Sequence, residues 1–261
     1  MQSRLAVVAA LIALPAPTLA AQTADQARLV FSIGLGQTAG GGELWRVGHQ
    51  PFNGDTIAVS RAFRRSFNIS FGGTYFPGEN LGFNAEAQLL GLGTRDGCGI
   101  VSADPPALLT QNACNSLGSK ERGTSSGSLS VGLVYRVFSR SPIHPYVRAN
   151  VGMVVSQESF LQMIATTPAS SGSADSPVYL DDSPDNIQPY LSFGGGIVTT
   201  ISRGYQLRFE IRDNWVRVPV VTGPTSGAPA FTPASASQGR HVLSFLLGFD
   251  VVLERKRGRR Y

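Results

Sequence analysis

The chain has 261 residues, with 30 glycines, 16 prolines, 15% charged residues and a formal net charge of +5. That glycine and proline content excludes a mainly helical protein, and the length fits a single all-β domain. The positive charge does not mark a nucleic-acid face: Arg255, Lys256, Arg257, Arg259 and Arg260 crowd the extreme C-terminus, and the rest is close to neutral.

Residues 1–21 set a basic start at Arg4 before an apolar run from Leu5 to Leu14 and small residues at Ala20 and Ala21. This is the layout of a secretory signal peptide cut near Ala20 or Ala21. The expected organisation is a signal peptide over 1–21, one domain over 22–254 and a basic tail over 255–261. No later run reaches the roughly 18 apolar residues that a membrane-spanning helix needs.

From Ala27 onward the sequence alternates, and in a strand successive side chains face opposite sides. ARLVFSIGLGQ sets Leu29, Phe31, Ile33 and Leu35 against Val30, Ser32, Gly34 and Gly36. SFNISFGGTYF sets Phe67, Ile69, Phe71 and Tyr75 against Asn68, Ser70 and Thr74. NLGFNAEAQLLG sets Leu81, Phe83, Ala85, Ala87 and Leu89 against Gly82, Asn84, Glu86 and Gln88. Next, Cys98 and Cys114 fall in a polar, glycine-containing segment. In an exported protein such a pair is expected as a disulfide, and a metal site is disfavoured because no histidine or third cysteine lies near.

The pattern then resumes. SLSVGLVYRVF sets Leu129, Val131, Leu133, Tyr135 and Val137 against Ser130, Gly132 and Arg136; YVRANVGMVVS sets Val147, Ala149, Val151, Met153 and Val155 against Arg148, Asn150 and Gly152. YLSFGGGIVTTI sets Leu191, Phe193, Ile197 and Ile201 against Ser192, Gly194 and Thr200. YQLRFEIRDNW sets Tyr205, Leu207, Phe209 and Ile211 against Gln206, Arg208, Glu210, Arg212 and Asn214. HVLSFLLGFDVVLE sets Leu243, Phe245, Leu247, Phe249, Val251 and Leu253 against Ser244, Gly248, Asp250 and Glu254. Eight antiparallel strands are thus predicted, an even number that can close on itself.

Short, turn-rich connections at 77–80, 139–145 and 202–204 alternate with long ones at 38–65, 94–127, 158–188 and 219–238. A soluble barrel can show the same asymmetry, so the faces decide. The polar set mixes charges of both signs with Gly34, Gly36, Gly72, Gly132, Gly152, Gly194, Gly196 and Gly248. An eight-stranded barrel has an interior just wide enough for side chains, and small residues there make room for long ones. The apolar set is large, nearly uncharged and present on every strand, which suits lipid. The fold predicted is an eight-stranded antiparallel up-and-down transmembrane β-barrel, its polar face inward.

These features together resemble the small outer-membrane barrels of the OmpA/OmpX type, over about Arg28 to Leu253. The resemblance implies outer-membrane localisation, short turns and both termini in the periplasm, and long loops outside. It also implies contact with outer-membrane lipids and lipopolysaccharide, insertion by the barrel-assembly machinery, and a monomer. LGFDVVL has the glycine and alternation of a terminal assembly strand but departs from it by continuing into the basic tail.

The inward charges expected to matter are Glu86, Arg136, Arg148, Arg208, Glu210, Arg212 and Asp250, with Glu86 pairing Arg136 and Arg208 pairing Asp250. Unpaired, they would be very costly to bury; paired, they would plug the lumen. Tyr75, Tyr135 and Tyr205 beside the short turns, and Trp215 at the opposite end, are expected as aromatic girdles. His49, His144 and His241 lie apart and lack a serine and acid at recognisable spacing, so no catalytic residue is predicted. No phosphate loop, zinc motif or dinucleotide fingerprint is present, and no metal or cofactor is expected. Asp175, Asp181, Asp182 and Asp185 read either as a cation-holding loop or as a solvated one. The segment FLQMI (160–164) is expected on the lipid interface or in a small apolar pocket, and 224–239 as flexible. The function expected is structural or surface-interacting. A conduit for small hydrophobic molecules is the alternative, and a lipid A-modifying enzyme the third.

Overall fold

A computed structural model describes residues 28–254 apart from 41, 103–104, 124, 139–140, 157–158, 170–171, 182–186, 203 and 227–229. The predicted signal peptide (1–21), the basic tail (255–261), Asp182 and Asp185 lie outside the described residues. In chain order come β1 (Arg28–Thr38), β2 (Glu43–Phe52), β3 (Asp55–Phe63), β4 (Ser66–Phe76), β5 (Leu81–Gly91) and β6 (Thr94–Ser102). They are followed by α1 (Leu108–Ser119), β7 (Glu121–Arg122), β8 (Ser125–Arg136), β9 (Ile143–Ser156), β10 (Met163–Ala169) and β11 (Gly172–Tyr179). The last three are β12 (Ile187–Ser202), β13 (Tyr205–Val221) and β14 (Ser235–Glu254).

Eight of these strands close a barrel in the order β1-β14-β13-β12-β9-β8-β5-β4, every neighbouring pair antiparallel. They are the eight alternating segments of the sequence. Closure pairs the first strand with the last, with Phe31 opposite Val251 and Leu35 opposite Leu247. No backbone edge is left to face an apolar medium, which a membrane requires. The two parities separate as the residue types demand. Phe31, Phe71, Phe83, Val131, Val151, Phe193, Phe209 and Phe245 stand exposed on the outer wall; Ser32, Ser70, Asn84, Ser130, Asn150, Ser192, Glu210 and Ser244 are buried inside.

The long connections are not loose. β2, β3, β6 and β7 form a second sheet, β10 and β11 a hairpin, and α1 packs against β6 and β10. The β2–β3 turn holds Asn53 and Gly54 at φ of 50° and 85°, the left-handed pair of a two-residue hairpin. Together these elements form a cap on one end of the barrel, with its own apolar core of Leu44, Trp45, Ile57, Val59, Leu117 and Met163. The barrel strands reach into that core through Leu90, Val154, Tyr190, Val216 and Val242.

Two expectations change here. FLQMI does not lie on lipid: Phe160, Leu161 and Met163 are buried in the cap core, because the cap offers them an interior to fill. The segment after Pro219 is not wholly a flexible loop. β13 runs on to Val221, β14 begins at Ser235, and Thr222 N–H bonds Ala234 C=O at 2.9 Å. Cys98 on β6 and Cys114 on α1 are disulfide-bonded, as expected, with Cα atoms 5.1 Å apart.

Candidate functional site: the sealed lumen and its cap

The interior is filled in layers. At the short-turn end, Val30, Phe76, Val134, Tyr146 and Val198 form a buried apolar plug. Inward positions there carry apolar side chains, and the guanidinium of Arg136 lies 3.7 Å from the centre of the Phe76 ring, a cation–π contact.

The next layer is ionic. Glu86 on β5 and Glu210 on β13 share Arg148 and Arg212. Arg148 Nη2 donates to Glu86 Oε2 at 2.9 Å, and Arg212 Nε donates to Glu210 Oε1 at 2.7 Å. Arg212 also bonds Glu86, and Arg148 Nη1 reaches Glu210 at 3.4 Å. Arg208 Nη1 donates to Glu210 at 3.2 Å and lies 3.5 Å from Asp250 through Nε. All seven candidate charges are buried, with four guanidiniums to three carboxylates. Glu86 does not pair with Arg136 as the strand order suggested. Arg136 sits nearer the turn end on β8, and Glu86 is met from across the lumen instead. Gly248 makes this packing possible: a Cβ there would stand 2.8 Å from Arg208 Nε.

Two further residues belong to this layer. Tyr146 donates its hydroxyl to Glu210 at 2.6 Å, and Asn84 accepts from Arg148 Nη2 at 2.6 Å. Both share the inward parity of their strands, and that parity was the signal available. Toward the cap lies a neutral layer. Gln88 donates to Asn68 at 2.7 Å, Tyr190 to Asn214 at 2.7 Å, and Asn214 to Ser244 at 2.7 Å.

The cap is pinned by a second buried charge cluster that the sequence did not suggest. Arg61 on β3 grips Asp96 on β6 with two bonds, Nε to Oδ1 at 2.6 Å and Nη2 to Oδ2 at 2.9 Å. Its remaining donors reach the carbonyls of Phe160 and Gln162, both at 2.8 Å, and its guanidinium lies 5.5 Å from the Trp45 ring. One arginine thereby ties three long connections together. Nearby, burial pushes the Tyr179 phenol above its ordinary range; its hydroxyl donates to Gln50 at 3.0 Å.

The remaining candidates are dispersed. Tyr75, Tyr135 and Tyr205 stand exposed on the outer wall at the turn end, Tyr205 stacked on Phe249 with centroids 5.7 Å apart. Trp215 lies half-buried across Gly239 at the cap end. His49 is in the cap, His144 is buried at the turn end, and His241 is on the outer wall, where its Nδ1 lies 2.8 Å from Asp213 Oδ2. Asp175 is exposed on β11, and Asp181 bonds the Ser159 hydroxyl. Among the described residues no cluster of acidic, histidine or cysteine side chains has the makings of a metal site.

No protein-family model matches the chain, and no curated protein matches its sequence. Among solved structures it is similar to the outer membrane protein OprG from Pseudomonas aeruginosa, at 8% identity and a TM-score of 0.48 over 88% of this chain and 98% of that one. It is also similar to the outer membrane protein AlkL in lipid bilayers (16% identity, TM-score 0.43, 90% and 93% covered) and to Neisserial surface protein A (12%, 0.41, 88% and 99%). By its own geometry, a closed eight-stranded wall that is apolar outside and polar within, the chain is an outer-membrane β-barrel.

Proposed function

We propose that this outer-membrane barrel is a non-conducting, non-enzymatic surface protein whose working part is the folded cap. The observation that carries the reading is the sealed lumen. An apolar plug, a shared ionic layer, an amide layer and the cap core follow one another along the barrel axis. Binding surfaces are commonly carried on connections held by a rigid scaffold. Here those connections are stiffened by the Arg61–Asp96 cluster and the Cys98–Cys114 disulfide.

In this reading the short turns face the periplasm and the cap faces outward. The protein acts as a monomer among outer-membrane lipids and lipopolysaccharide, after insertion by the barrel-assembly machinery. The test is electrical. Purified protein, first checked for the heat-dependent gel mobility of a closed barrel, is added to planar bilayers. No unitary steps are expected. Lasting single-channel currents from the wild-type chain would overturn the reading.

A further inference from the structure

Where the cap meets the barrel wall there is an arginine cleft of about 440 Å³, lined by Gly40, Ala62, Phe63, Arg64, Arg65, Arg95 and Glu121. Its charge is unbalanced. Arg64 and Arg95 share one carboxylate, Glu121, which Arg95 meets at 3.3 Å. Arg65 is exposed, and its side chain has no ionic or hydrogen-bonding partner among the described residues. Arg64 Nε is shut away from solvent without an acceptor. Three guanidiniums against one carboxylate leave the cleft strongly attractive to an anion.

The backbone is shaped for this opening. A Cβ on Gly40 would stand 2.3 Å from Arg65 N and 2.4 Å from Arg64 C. A Cβ on Gly93 would stand 2.9 Å from Arg64 Nε. Side chains at either position would displace the arginines from the wall. The level of the cleft matters as much as its charge. Arg65 stands two residues before Phe67, the outward residue of β4 nearest the cap, which is 58% exposed on the apolar wall. The guanidiniums therefore lie where the apolar belt ends and lipid head groups begin.

We propose that this cleft binds the phosphorylated sugar head group of a glycolipid in the surrounding leaflet. Arginine suits a phosphate because its planar fork offers paired donors in matching geometry. The cleft volume falls in the range of small-molecule sites. The acyl chains of the same lipid would lie down the wall over Phe67 and Phe71. The proposal rests on the placement of the barrel in the outer membrane.

The experiment uses the full chain in phosphatidylcholine nanodiscs containing a bisphosphorylated diglucosamine lipid, its dephosphorylated counterpart, or inorganic phosphate in the buffer, with binding read by native mass spectrometry. Wild type should bind the phosphorylated lipid at least tenfold more tightly than the dephosphorylated one. Arg65→Gln with Arg95→Gln should lose that preference. Arg65→Gln alone, which breaks no bond, should weaken it severalfold in a barrel of unchanged gel mobility. Arg217→Gln, another exposed outer-wall arginine, should retain it. Equal binding by wild type and Arg65→Gln with Arg95→Gln would overturn the site. Binding of inorganic phosphate as tight as that of the lipid would overturn the head-group assignment. Failure of the chain to enter nanodiscs would instead strike the membrane placement itself.

Discussion

Glu86 and Arg212 meet across the middle of the barrel from strands that stand opposite one another in the ring of eight, Arg212 Nη2 lying 3.2 Å from Glu86 Oε2 beside a second, shorter bond. The pair is thus a crossbar between walls, not a rung between neighbours. Glu86→Gln leaves Arg148 and Arg212 short of compensating charge in a buried site. The expected loss is about 3–5 kcal/mol, read as a lower urea midpoint for unfolding in detergent micelles. A change below about 1 kcal/mol would mean that water, not Glu86, satisfies the arginines.

Breaking the cap cluster should loosen the cap and spare the barrel. Asp96→Asn leaves Arg61 buried without its carboxylate, again about 3–5 kcal/mol, but charged to the cap alone. Limited proteolysis should cut within 39–65 or 157–186 while heat-dependent mobility is retained. Loss of the mobility shift together with the cap would show that the two fold as one unit.

The disulfide closes 16 residues of sequence separation, a loop for which chain-entropy arguments give roughly 3 kcal/mol. Cys114→Ser should raise hydrogen exchange in α1 and β6 and leave β12 and β13 unchanged. Uniform exchange across all strands would contradict the separation of cap from barrel.

The outer wall makes its own prediction. Phe209→Arg puts a charge on the lipid face, at a cost of about 2–4 kcal/mol if the site is near mid-membrane and less toward the rim. The same change at Trp215, by the cap end, should cost visibly less. Equal costs at both positions would argue against a lipid-facing belt.

The barrel strands were legible because their period is two and their outer face is nearly free of charge, so eight segments announce themselves independently. The register between them was not legible. Adjacent strands suggested Glu86 with Arg136, whereas a lumen this narrow lets Arg148 and Arg212 reach in from farther round the ring. The cap escaped notice because its strands bury one face against loops rather than lipid, and the apolar content of Phe160 to Ile164 then looks like an interfacial patch. One signal was available. Asn53-Gly54 between WRVGHQPF and DTIAV is the strongest short-range hairpin mark, and it places β2 and β3 where only a long loop was expected. The Arg61–Asp96 pair had no such mark, since two charges 35 residues apart meet only after the second sheet forms.

Among the described residues β14 is the last strand and the longest, with 20 residues. One half of it zips the barrel shut against β1; the other supplies Val242 to the cap core and, through Arg240, a bond to the Leu44 carbonyl of β2. The cap is therefore built partly from the same strand that closes the barrel. A conformational antibody against the assembled cap would report that the first half of β14 has docked on β13.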